Sequence, residues 1–258
     1  MKNSPSNPLA VHVAASRSSM GARAAADIAS EIRALLANQE GVRIMFAAAP
    51  SQSEMLLSLR QASGVDWSRV SGFHMDEYLG LAADAPQRFG VWLLRTIFDH
   101  LPFGAVHLIE PGDEPNRTAA DYAAKLNAAA IDIVCCGVGV NGHLAFNDPP
   151  ADFDEPLTAK VVALDERSRQ QQVDDKCFAS IHDVPTHAVT VTIPGLLAAR
   201  AIFCTVPGPQ KNQAIRNMLE QPITSLCPAS ALRLHPQCAL YLDPDCAGEV
   251  SFEGYRQI

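Results

Sequence analysis

The sequence predicts an α/β fold, a mainly parallel sheet with helices on both faces, built as a single domain over 1–258. Three observations carry this expectation. Short apolar, β-branched runs bounded by Gly, Pro or Asp recur along the chain and read as strands. Between several of them lie longer stretches whose apolar residues fall at helical spacing. The 258 residues, 48% hydrophobic and 19% charged, can bury one large core without a second domain being required. Strand alternating with helix implies parallel pairing, because each crossover lays a helix on one face of the sheet.

In chain order, apolar spacing over 16–38 predicts a helix, "GVRIMFAAA" a strand and 53–62 a second helix. "RVSGFHM" is the next strand, 87–100 the next helix, and "AVHLI" the strand after it. A helix over 117–128 leads into the strand "IDIVCCG". "AKVVAL", "HAVTVTI" and "RAIFCTV" follow as strands, then a helix over 209–219 and a last strand, "CALYL". No internal repeat, low-complexity tract or linker interrupts the series.

A formal charge of -8 argues against nucleic acid or an anionic membrane as the main partner, while a local lysine or arginine cluster can still serve an anionic small molecule. The seven cysteines, Cys135, Cys136, Cys177, Cys204, Cys227, Cys238 and Cys246, contain no C-x-x-C pair, which disfavours a disulfide framework or a zinc site. No apolar run reaches signal-peptide or membrane-spanning length, so a cytoplasmic protein with reduced, mostly buried thiols is expected.

In a parallel sheet, ligands bind beyond the carboxyl ends of the strands, which directs attention to three clusters. In "SGFHMDEYLGL", Asp76 and Glu77 can supply a general base, one side chain facing the cleft and its neighbour facing away. In "DIVCCGVGVNGHLAFNDPP", Gly137, Gly139 and Gly142 match the dinucleotide spacing G-x-G-x-x-G. His143 directly after the last glycine, and Pro149 and Pro150 soon after, leave little room for the long helix that pattern needs. The glycines are therefore read as letting the backbone approach a substrate, with His143 and Asp148 as an imidazole–carboxylate pair. In "VPGPQKNQAIR", Lys211 falls in the first turn of a helix, where free N–H groups already favour an anion. Ser51, Gln52 and Ser53, between a strand and a helix, extend the same anion-holding idea.

Together these clusters resemble the glucosamine-6-phosphate deaminase family. The carriers are "MDEYLGL", "GVGVNGHLAFNDP", "AVTVTI", "VPGPQK" and "CPASALRLHP", in the family's order across residues 75–236. The resemblance implies a Rossmann-like fold, no metal or organic cofactor, and conversion of glucosamine 6-phosphate and water to fructose 6-phosphate and ammonia. It implies that Asp76 moves the proton between C2 and C1, that His143 assists ring opening, and that Asp148 with Asn141 orients it. Lys211, the Ser51–Ser53 loop and Arg169 are expected to meet the phosphate. The family reads aspartate at the position of Asn141, glutamate at that of Asp148 and a glycine-rich segment where this chain has "APSQSE". These departures leave open a galactosamine-6-phosphate deaminase, a 6-phosphogluconolactonase-like hydrolase and a non-catalytic sugar-phosphate sensor. Family members range from monomers to hexamers, so a homo-oligomer is admitted.

Overall fold

The computed structural model describes residues 9–258. β1 (Ala10–Val13) runs into α1 (Arg17–Leu36), β2 (Val42–Phe46) into α2 (Ser53–Leu59), and β3 (Val70–His74) into β4 (Asp76–Tyr78) and α3 (Phe89–Thr96). β5 (Ala105–His107) and α4 (Pro115–Asn127) lead to β6 (Ile133–Cys136). β7 (Ala159–Ala163), α5 (Glu166–Asp174), β8 (His187–Val191) and α6 (Ile193–Leu197) follow. β9 (Ala201–Val206), α7 (Asn212–Glu220), β10 (Cys238–Leu242), α8 (Pro244–Ala247) and β11 (Arg256–Gln257) complete the chain.

Eight strands form the main sheet in the order β11-β1-β10-β9-β6-β2-β3-β5, and every neighbouring pair is parallel. Side chains alternate across it, as strand geometry requires. Val42, Ile44 and Phe46 of β2 with Ile133 and Cys135 of β6 pack under α1, α2 and α3. Met45, Val134, Cys136, Ile202 and Cys204 pack on the opposite face with α4, α6, α7 and α8. Helices on both faces of a parallel sheet are thus the architecture, as the alternation of runs predicts.

α1 begins where local chemistry says it should. Ser16 caps α1 reciprocally with Ser19, and Met20, Ala24, Ile28 and Ile32 repeat every fourth residue on its buried face. Gly21 allows α2 to lie directly on α1, since a Cβ there would sit 2.5 Å from Glu54 Cβ and 2.7 Å from the Glu54 carbonyl carbon. Arg17 fastens the same junction by pairing with Glu54 at 2.7 Å and donating to the Pro50 carbonyl at 2.8 Å.

Two sequence-based assignments need correction. β7 and β8 do not join the parallel sheet; with β4 they form a separate antiparallel sheet in the order β4-β8-β7. The strand expected to end at Met75 ends at His74, and Asp76 and Glu77, expected to follow it, form β4, too short to show a period of its own. β1, β11, α6 and α8 also went unread, each being only two to five residues long. All seven cysteines are free, and only Cys177 is not fully buried.

The chain reverses direction across the sheet between β2 and β6: β2, β3 and β5 step one way, and β6 and β9 step the other. Ligands of open α/β sheets bind beyond such a switch point.

Candidate active site

A cleft open to solvent lies at this switch point. Four strand ends supply it: the loop after β2 (Ala47 to Gln52), Met75 and Asp76 after β3, Gly137 to Ala145 after β6, and Lys211 beyond β9.

Asp76 lines the cleft and Glu77 turns away, as the period of two demands. The Asp76 carboxyl is pushed well above its ordinary range, chiefly by burial and then by the neighbouring charge of Glu77. Glu77 is fully buried and accepts N–H bonds from Tyr78 (2.9 Å), Phe89 (3.1 Å) and Gly90 (3.0 Å), with Arg88 Nε at 3.4 Å. It therefore fastens the start of α3 to β4.

The turn after β6 carries no helix, so the glycine spacing is not a dinucleotide loop. Gly139 has no room for a side chain: its Cβ would lie 2.2 Å from His143 Nε2 and Cε1. Gly142, at φ 86°, takes the left-handed conformation that glycine tolerates and brings His143 back over Gly139. Gly137 lies beneath the Gln52 amide, with 2.7 Å between its would-be Cβ and Gln52 Nε2.

Behind His143 stand Asn141, Asp148 and Ser168, none of which reaches the cleft. His143 Nδ1 is 3.2 Å from Asp148 Oδ1 and 2.8 Å from Ser168 Oγ. Asn141 Nδ2 donates to Asp148 Oδ1 at 3.0 Å, and Asn141 Oδ1 accepts the His143 N–H at 3.1 Å. Burial alone would raise the Asp148 carboxyl, but the hydrogen bond and charge of His143, then bonds from Ser168 and Asn141, hold it well below the ordinary carboxylate range.

Across the cleft Lys211 is 3% exposed, and no carboxylate among the described residues lies within ion-pair distance. Burial pulls its ammonium down to about 8, partly offset by the charge of Asp175 and then Cys246. It sits directly before the first turn of α7, whose free N–H groups also favour an anion. Ser51 and Gln52 line the same side. Gln52 is fixed by Thr205, accepting from its hydroxyl at 2.7 Å and donating to its carbonyl at 3.1 Å. Glu54, an unwelcome charge beside an anion, is neutralised by Arg17.

Two expected phosphate contacts are not brought to the cleft. Ser53 opens α2 behind the loop. Arg169 donates to the carbonyls of Ile181 (2.6 Å) and Val184 (2.9 Å) and is absent from the cleft lining, to which α5 contributes Gln171 and Gln172. Gln171 and Gln172 line the cleft and were not foreseen; their helix is polar throughout and shows no apolar stripe to orient it.

A buried carboxylate, an imidazole tied back to a second acid and a buried lysine around one cleft at the switch point define an α/β protein built for proton transfer on a small anionic ligand. Comparison with known proteins narrows this class. The pattern of the glucosamine-6-phosphate isomerase/6-phosphogluconolactonase family matches residues 15–240, and the chain belongs to that family. Similar sequences include a glucosamine-6-phosphate deaminase of Pseudarthrobacter chlorophenolicus, 34% identical over 70% of each chain. Another, from Exiguobacterium sp., is 34% identical over 67% of this chain and 66% of its own. Among solved structures, a monomeric glucosamine-6-phosphate deaminase superposes with a TM-score of 0.86 at 25% identity, covering 93% of this chain and 99% of the other. The 6-phosphogluconolactonase of Trypanosoma brucei, at 16% identity, a TM-score of 0.79 and 95% and 100% coverage, shares the fold.

Proposed function

We propose that this protein converts glucosamine 6-phosphate and water to fructose 6-phosphate and ammonia. The observation that carries the reading is Asp76: a buried carboxylate held above its ordinary range, with no hydrogen bond from the described residues, lining one cleft with His143 and Lys211. A base so held can take the C2 proton and return it at C1, the work of a general base. His143 assists opening of the sugar ring, and Asp148 and Asn141 hold it from behind. Lys211, with Ser51 and Gln52, meets the phosphate, and Gly137 and Gly139 let the sugar approach the backbone. The solved deaminase of similar fold is described as monomeric, which favours a monomer here. The reading also makes residues 1–258 one domain and puts the enzyme in the cytoplasm, where its seven thiols stay reduced.

Asn141 stands behind the imidazole, out of the cleft, so the amide gives no reason to prefer the C4 epimer. The test is release of ammonia and fructose 6-phosphate from purified protein, with galactosamine 6-phosphate and 6-phosphogluconolactone in parallel. Turnover of glucosamine 6-phosphate is expected, and Asp76→Asn should abolish it while leaving sugar-phosphate binding nearly intact. Wild-type-like turnover in that variant overturns the role of Asp76, and lactone hydrolysis alone overturns the reaction.

A further inference from the structure

The atom closest behind His143 is a hydroxyl, not a carboxylate oxygen. Ser168 Oγ lies 2.8 Å from His143 Nδ1, against 3.2 Å for Asp148 Oδ1. The same hydroxyl makes a hydrogen bond with Asp148 Oδ1. Asp148 takes donors on both oxygens, Asn141 Nδ2 on Oδ1 and the Asp165 N–H on Oδ2, which favours the carboxylate form, and a carboxylate can only accept. The Ser168 proton therefore points to Asp148, and the serine oxygen is left to accept from Nδ1–H of the imidazole. The surroundings keep this order in place. Asn141 Nδ2 holds Asp148 Oδ1 at 3.0 Å, and the Asp165 N–H holds Oδ2 at 3.1 Å. Ser168 itself is fully buried, in the first turns of α5, which Asp165 caps. On the other side of the ring, the Nε2 edge lies against Gly139 at the cleft wall.

We infer that Ser168 is a positioning residue through which Asp148 acts: His143, Ser168 and Asp148 form a relay that keeps the imidazole proton on Nδ1 and leaves the Nε2 lone pair facing the substrate. Asp148 Oδ1 stands 3.2 Å from Nδ1, and the serine hydroxyl, at 2.8 Å, is the nearer partner and links the two. With Nε2 bare, the ring takes a hydroxyl proton from the bound sugar and returns it to the ring oxygen, and the imidazolium formed between these steps is balanced by Asp148 across the serine.

The inference rests on the deaminase reading, and two readouts separate the fates of the two. In turnover, Ser168→Ala should lower kcat roughly 10–100-fold, less than or equal to the lower part of the range for a lost acid–base group, with KM little changed. Ser168→Ala combined with Asp148→Glu should recover most of that loss, since one added methylene lets a carboxylate reach Nδ1 itself. In nitrogen-15 spectra of the ligand-free protein, the His143 ring, identified by its disappearance in His143→Gln, should show a proton on Nδ1 alone. In Ser168→Ala the ring should become a mixture of tautomers. An unchanged kcat in Ser168→Ala, an unchanged tautomer, or no recovery in the double variant overturns the relay. If the wild type fails to deaminate but the ring signals behave as stated, the relay stands and the assigned reaction falls.

Discussion

Lys211 carries more consequence than any other single side chain in the cleft, because its charge is buried without a partner. Folded, its ammonium titrates near 8 rather than at 10.5. Between those values the unfolded chain binds the proton and the folded one does not, so stability rises as pH climbs through that window. Affinity for a dianion moves the other way, since the neutral amine no longer attracts it. Lys211→Met should therefore raise the midpoint of thermal unfolding at pH 7 while increasing KM roughly 10–100-fold, the cost of a charge-assisted hydrogen bond. The same variant should flatten the rise of KM expected of the wild type above about pH 8. Asp76, His143 and Lys211 were legible in the sequence because each lies within a few residues of the end of an apolar run, where a sheet opens to ligand. Ser168 and Gln172 were not, since they sit in "ERSRQQQVD", a helix with no apolar face to show which residues turn inward.

Among the elements, the contact of α1 with α2 sets the position of the loop that carries Ser51 and Gln52. A methyl at Gly21 would enter the space of Glu54 Cβ and the backbone of Glu54 and Met55, all within 2.8 Å. Gly21→Ala should gain about 1 kcal/mol of helix propensity but lose about 1–3 kcal/mol to overpacking, for a net destabilisation in urea unfolding. Because Arg17, Glu54 and Pro50 move with that contact, KM should rise as well. An unchanged KM would show the loop to be positioned from β9, through Thr205 and Gln52, instead. Helix positions were readable to within a few residues because α1, α4 and α7 each bury a clear apolar stripe. The pairing of β7 and β8 was not readable: "AKVVAL" and "HAVTVTI" have the composition of buried parallel strands, and nothing local announces that they turn antiparallel against a strand of three residues.

At the scale of the molecule, the two hydrophobic layers meet where the cleft lies, so most of its wall is anchored in an eight-stranded sheet. Asp76 is an exception, for it belongs to the three-stranded sheet and pairs with Thr190 of β8. Small sheets open more readily than large buried ones. Warming should therefore silence the enzyme before it denatures it: residual activity would decline at a lower temperature than far-ultraviolet ellipticity, and would return on cooling. Amides of β4 and β8 would exchange with deuterium faster than those of β6 and β9, and coincident loss of activity and ellipticity would show the two sheets to melt as one. The chain thus carries Asp76 in one sheet and Lys211 just beyond a strand of the other, so that the two walls of one cleft are free to answer differently to heat.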